Sequence, residues 1–263
     1  MRIGSQARSF GKGIYSSEDE FLSVVREAGE IGIKGLEANW KNVERYFESP
    51  DPFRHSLHEA GLEYIGAHYG SRLCDPVTRD DTLVDVERIA PFVSAVGGSY
   101  VVCSGHAPQD GAVTGDTWAA MAERLNEFGG ICARSDVSVT YHNHWWEPEN
   151  DGLGRLAELT DPSTVGFAFD TGHCARAGGD VARALREFDS RLAFVHLADY
   201  APDADNPGLR PPLGDGLLDI DAVVDALREV KPESWVVLEE STDRASARDQ
   251  VSKCVEILSR FCD

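Results

Sequence analysis

Histidines and carboxylates collect in this chain at points where a strand of a parallel sheet would end. Six of the eight histidines lie at or just past such a point: His68, His106, His142, His144, His173 and His196. So do the acids Glu37, Asp170, Asp199, Glu239 and Glu240. Imidazoles and carboxylates that face one another make a donor set for a divalent cation such as Mn, Co, Zn, Fe or Mg. Further histidines and acids beside such a cation could move protons.

Alternation along each strand decides which side chains share a face. In VSVTYHNH (137–144), Val137, Val139 and Tyr141 suit packing on helices, while Ser138, Thr140, His142 and His144 share the other face. In VGFAFD (165–170), Gly166, Ala168 and Asp170 share a face. His196 is in phase with Phe194 and Ala198, and Glu239 with Trp235 and Val237; Glu240 falls on the opposite side or in a loop. The expected metal ligands are therefore His142, Asp170, His196 and Glu239, one from each of four consecutive strands.

The elements that must position them repeat eight times as strand and then helix. The strands read as RIGSQ (2–6), GLEAN (35–39), YIGAH (64–68), YVVCSG (100–105), VSVTYHNH (137–144), VGFAFD (165–170), LAFVHLAD (192–199) and WVVLEE (235–240). Helical patterns between them open on Ser, Asp or Thr before an acidic turn, and several close on glycine at Gly29 or Gly32, Gly61, Gly97 and Gly98. Alternating β and α units imply a parallel sheet, and eight of them over 263 residues match one closed (β/α)8 TIM barrel domain across residues 1–263. Such barrels carry their chemistry at the C-terminal strand ends, and small interior residues such as Gly166 and Ala168 suit a narrow interior.

Composition narrows the partners. A formal net charge of −20 repels nucleic acid and anionic membranes, so neither is an expected partner. No apolar run reaches the roughly 18 residues of a membrane span, and MRIGSQARSF has no signal-peptide core, so a cytoplasmic location is expected. Five lysines against twenty arginines, with the acid excess, fit a high-salt cytoplasm and ordinary acidic solubility about equally. The six cysteines, at 74, 103, 132, 174, 254 and 262, form no C-x-x-C pair and read as reduced structural thiols. The sequence is compatible with a homo-oligomer.

The run FDTGHCARAG, then VHLAD, then VVLEES resembles the xylose-isomerase-like barrel superfamily, which includes ketose epimerases, inosose dehydratases and proteins described as sugar phosphate isomerases/epimerases. The resemblance covers essentially the whole chain. It implies a metal-binding Asp170 and a substrate-contacting His173 in the D-x-x-H element, a metal-binding His196, and a Glu239 that both binds metal and moves a proton. It implies that the loop LRPPLGDGLLDID brings Arg210 to the substrate. One departure stands out: ketose epimerases usually carry a Glu as ligand and base where this chain has His142.

The expected activity is therefore that of an enzyme with one divalent ion, manganese favoured. It would be an isomerase or epimerase of a keto sugar or related polyol, abstracting a proton next to the carbonyl. The alternative is a dehydratase or lyase of a keto-cyclitol or keto-glycoside. Glu239, His144 and His173 are the expected catalytic residues. Glu37, His68, His173, Arg210 and Trp145 are expected to bind a small carbohydrate or cyclitol. Trp40 and Trp146 also lie beyond strand ends, where an aromatic face suits a sugar ring or a loop contact about equally. His144 or Glu147 could supply a second base. DNA repair on a related barrel is disfavoured by the acidic charge, and a non-catalytic sugar-binding subunit by the complete ligand set.

Overall fold

Eight parallel strands close on themselves in chain order: β1 (Arg2–Gln6), β2 (Gly35–Asn39), β3 (Glu63–Ser71), β4 (Tyr100–Gly105), β5 (Ser138–His142), β6 (Val165–Asp170), β7 (Leu192–Leu197) and β8 (Trp235–Leu238). β8 pairs back onto β1, so the sheet has no edge. The structure, a computed structural model, describes residues 1–108, 112–202, 210–240 and 243–261. Leu209, Ser241 and Cys262 of the segments named above lie outside them.

The barrel interior is plugged by Ile65, Val102, Ala168, Phe194, Trp235 and Val237. Ala168, Phe194 and Val237 stand two residues before Asp170, His196 and Glu239. The same face, one pleat higher, therefore carries the ionisable side chains above a dry apolar floor. The expectation of small interior residues holds on β6, but Phe194 and Trp235 are large. Glycine makes the room: a Cβ on Gly35 would lie 2.6 Å from the Trp235 ring. The opposite faces pack Val139, Tyr141, Phe167, Phe169, Val195 and Leu197 against the surrounding helices in the main core.

The crossover helices follow the polar signals. Ser17 caps the helix Glu18–Glu30 by accepting the Glu20 N–H, and Gly32, Gly61 and Gly97 take left-handed backbone at or just past helix ends. Gly98 does not. Short helices over Trp146–Glu149 and Thr171–Arg176, at the mouth, carry no periodic signal long enough to read. No helix among the described residues is long and apolar enough to cross a membrane. The five described cysteines carry no disulfide.

Three strands end earlier than the sequence pattern suggests. β5 stops at His142 because Asn143 turns its amide onto the Asp170 backbone, accepting the N–H at 2.9 Å and donating to the carbonyl at 3.3 Å. β7 stops at Leu197, where Asp199 turns into the following loop. β8 stops at Leu238, yet the Glu239 N–H still donates to the Leu197 carbonyl at 3.1 Å and keeps strand phase. The Glu240 N–H turns instead to Ser9 Oγ, at 2.9 Å.

Candidate active site

The parallel register sets Asp170 beside His196 and His142 beside Ala168. With Glu239 held in phase, a donor atom from each of His142, Asp170, His196 and Glu239 lies within 4.8 Å of the other three. None of the four is more than 2% exposed. The closest approach is His196 Nδ1 to Glu239 Oε2, at 2.7 Å, and His142 Nε2 stands 3.9 Å from the same oxygen. His142 Nδ1 is buried with no hydrogen-bond partner. Two carboxylates and two imidazoles gathered in this way fit a divalent cation in donor type and spacing.

Without a cation, other positive groups balance the carboxylates. Burial opposes charge on His196, but Glu37 and Glu239 outweigh it and push its pKa up to about 10. Burial would likewise raise Glu239, but Arg210, His142 and His196 hold it well below the usual carboxylate range. Arg210 reaches across the mouth: Nη2 bonds Asp170 Oδ2 at 3.2 Å and Nη1 bonds the Glu239 carbonyl at 3.1 Å. Arg8, on the turn after β1, donates from Nη1 to Glu239 Oε1 at 3.0 Å. The two oxygens of Glu239 are thus divided, Oε2 toward the imidazoles and Oε1 toward the arginines.

Glu37 is fully enclosed. Its Oε2 meets the far nitrogen of His196, Nε2, at 2.7 Å, and its Oε1 accepts from Gln6 at 3.1 Å and pairs with His68 Nδ1 at 3.0 Å. Burial opposes its charge, but His196 and His68 outweigh it and bring its pKa down to about 2. A carboxylate on the remote nitrogen of a metal-binding imidazole fixes the ring's orientation and tautomer. His68 Nε2 continues the chain to Ser104 Oγ at 3.1 Å.

His144 and His173 stand on the turn after β5 and on the first turn after β6, with ring centroids 4.9 Å apart. A nitrogen from each also lies within 4.8 Å of one from His142. Burial lowers the pKa of His144 to about 4 and that of His173 to about 2, the latter helped by Arg210, so both rings are neutral. The His173 N–H donates to Asp170 Oδ1 at 2.6 Å, which explains the spacing of D-x-x-H: the aspartate caps the helix that carries the histidine. Glu147 is completely buried, accepting from Tyr141 Oη at 2.5 Å and from the His144 N–H at 2.8 Å. Trp145 is half-buried beneath the Arg176 guanidinium, 4.5 Å from its ring.

Of the expected residues, the structure gathers His142, Asp170, His196, Glu239, His144, His173, Arg210, Glu37 and His68 into one connected group. Trp145 is engaged instead by the Arg176 guanidinium. Sequence reasoning missed Gln6, Arg8, Asn143 and Ser104, and named Asp199 without a role. Asp199 accepts N–H groups from Tyr200, Gly214, Gly216 and Leu218 at 2.8 to 3.0 Å, folding the loop that carries Arg210. The G-x-G spacing in that loop was a usable signal: a Cβ on Gly216 would lie 2.2 Å from Asp199 Oδ1.

Comparison with known proteins places this geometry in context. Inosose dehydratase from Geobacillus kaustophilus is 26% identical over 267 residues, covering 90% of this chain and 84% of that one. Inosose dehydratase from Clostridium botulinum is 26% identical, covering 88% and 85%. Among solved structures, D-allulose 3-epimerase from Methylomonas sp. superposes with a TM-score of 0.80 at 16% identity, over 99% of this chain and 98% of that one. The 3-keto-D-glucoside 4-epimerase from E. coli gives a TM-score of 0.75 at 20% identity, over 97% and 99%. These superpositions speak to the fold alone. The family model described as the xylose isomerase-like TIM barrel matches residues 25–260, and the chain belongs to that family.

Proposed function

We propose that this chain is a divalent-metal-dependent enzyme that takes a proton from the carbon beside the carbonyl of a keto-cyclitol or keto sugar, and that loss of a β-hydroxyl follows, making it a dehydratase. His142, Asp170, His196 and Glu239 would hold the ion, which we assign as manganese, in a cytoplasmic enzyme. When bound, the cation would act as a Lewis acid that acidifies the carbon next to the carbonyl. Glu239 is ionised by its arginine and imidazole neighbours, so it is ready to accept a proton but is a weak base. Such a base works only on a strongly acidified carbon. Arg8 and Arg210 orient its second oxygen, and Glu37 fixes the His196 ring behind it.

The observation that carries the dehydratase reading is the absence, among the described residues, of a second carboxylate free to act opposite Glu239. Epimerisation through two bases needs one on each face of the carbon, each within about 3 Å of its proton. His142 stands where epimerases place a glutamate. Glu147 is closed off by Tyr141 and the His144 backbone, and Glu37 by Gln6, His68 and His196. What remains beside the ligand set is imidazole, His144 and His173. Both rings are neutral, so the proton that leaves with the β-hydroxyl as water is the one Glu239 has taken from the carbon, and the imidazoles would hydrogen-bond the substrate hydroxyls. The similarity to inosose dehydratases points the same way.

Isomerisation or epimerisation of a keto sugar is the second reading, since epimerases occur on the same fold and the chemistry begins alike. The two share their first step and separate in the product. The manganese-loaded protein, incubated with inososes and with ketoses in deuterated water, should release water from an inosose, with a mass loss of one water. Deuterium uptake with skeleton and hydroxyl count intact would sink the dehydratase reading in favour of the second.

A further inference from the structure

Three imidazoles stand together beside the proposed metal ligands, and only one of them belongs to that set. His144 and His173 have ring centroids 4.9 Å apart, and His142 lies 5.2 Å from the first and 5.9 Å from the second. One nitrogen from each lies within 4.8 Å of the other two. Nδ1 of His142 and Nδ1 of His144 are both buried and have no hydrogen-bond partner. Buried polar atoms without a partner are rare and call for one. His144 and His173 are half-buried, so the cluster opens toward the mouth.

We propose that His142, His144 and His173 form a second divalent-cation site, specific for a borderline ion such as zinc, cobalt or copper(II), whose filling inhibits the enzyme. The inference rests on the reading of His142, Asp170, His196 and Glu239 as the first site. The donor chemistry differs between the two. Two carboxylates in the first set accept the hard ions manganese and magnesium, whereas three imidazoles with no carboxylate favour zinc, cobalt or copper. His142 is common to both sets. Its ring can serve two ions only as an imidazolate, so the second ion binds more weakly than the first and with release of a ring proton. Inhibition follows from ligand identity: the second ion occupies His144 and His173, the two imidazoles assigned to the substrate hydroxyls.

The test is titration of the manganese-loaded protein with zinc, read by calorimetry and by elemental analysis after desalting. The expected result is one zinc taken up beyond the first site, two ions in all whether or not manganese is exchanged. His144→Ala and His173→Ala should each fall to one ion while keeping the first. His144→Gln, with circular dichroism and melting curves for all variants, separates loss of a ligand from loss of the fold. In cobalt, the second equivalent should bring its own visible absorption bands, absent from both variants. Zinc replacing manganese one for one with a total of one ion would overturn the proposal, as would His144→Ala and His173→Ala taking up zinc like the parent. Failure of the first site would look different: Asp170→Asn and His196→Ala would then leave manganese occupancy unchanged.

Discussion

Replacing Glu147 by Gln should stabilise the protein, by an amount that grows as the pH rises from 5 to 8. The Glu147 carboxyl is fully buried, and burial pushes its pKa from the ordinary 4.5 to about 8, against the two hydrogen bonds it accepts from Tyr141 and the His144 N–H. In the unfolded chain it ionises near 4.5, while in the folded chain it keeps its proton until about pH 8. The stability this group contributes is therefore complete below pH 4.5 and is lost as the pH climbs through 8. At 1.36 kcal/mol per pH unit, integration between pH 5 and 8 gives a loss of about 3.5 kcal/mol. Gln mimics the protonated acid in shape and does not titrate. Its carbonyl can accept the His144 N–H while its amide faces Tyr141. Urea unfolding of parent and Glu147→Gln at pH 5, 6, 7 and 8 reads the difference directly. The gap should widen by about 3.5 kcal/mol across the series, roughly 10 °C in Tm for a chain of this size. Glu240, which burial raises to about 7, is present in both proteins and cancels. A gap that stays flat from pH 5 to 8 would mean that Glu147 is ionised in the fold and that its two hydrogen bonds outweigh burial.

Four further outcomes follow from the same geometry. Because His196 is held protonated up to about pH 10 by Glu37 and Glu239, binding of the first ion at pH 7 should release one proton, measured by calorimetry in buffers of different ionisation enthalpy; zero release would refute the protonated His196. Arg210→Ala removes a positive charge from Asp170 and Glu239, so the variant should bind manganese at least as tightly as the parent, while kcat/KM falls by about two orders of magnitude, the cost of a lost charged contact of roughly 3 kcal/mol. Glu239→Gln should abolish turnover and Glu240→Gln should retain it, since only Glu239 keeps the strand phase; the reverse result would overturn that phase. Asp199→Ala strands four backbone N–H groups, and should raise KM and lower kcat as Arg210 loses its station, with manganese affinity unchanged; an unaltered KM would show that the loop holds without it.

Much of this was legible in the sequence because a barrel imposes two strict periods. The β/α repeat gave eight strands in order, and the two-residue alternation within strands singled out His142, Asp170, His196 and Glu239, which the fold brings within 4.8 Å of one another. Phase is robust there because an apolar floor of Ala168, Phe194 and Val237 lies directly beneath three of the four, and a one-residue slip would bury the charges among the helices. Strand ends were less legible. They depend on side-chain-to-backbone bonds such as Asn143 to Asp170, which leave no periodic trace. The same holds for Arg8 and Gln6: a lone arginine or glutamine after a strand has no pattern until the fold places it against Glu239 or Glu37.

The roles that alternation could not reveal share a physical reason for being hidden, and that reason bears on how the site is held. Alternation selects side chains that point into one space. It is blind to groups that act on those side chains from behind or along the backbone. Glu37 acts through the far nitrogen of His196, Asn143 through the peptide of Asp170, and Asp199 through four N–H groups of the loop that delivers Arg210. Each converts a residue that could adopt several orientations into one held in a single orientation. A cation site of buried carboxylates is costly to assemble unless its charges are balanced before the ion arrives. Arg210 and the proton on His196 supply that balance here. On the proposed function, the arginine that balances these carboxylates would also be the one released toward substrate when the ion binds, so that ion binding and substrate contact would be coupled through Asp170 and Glu239.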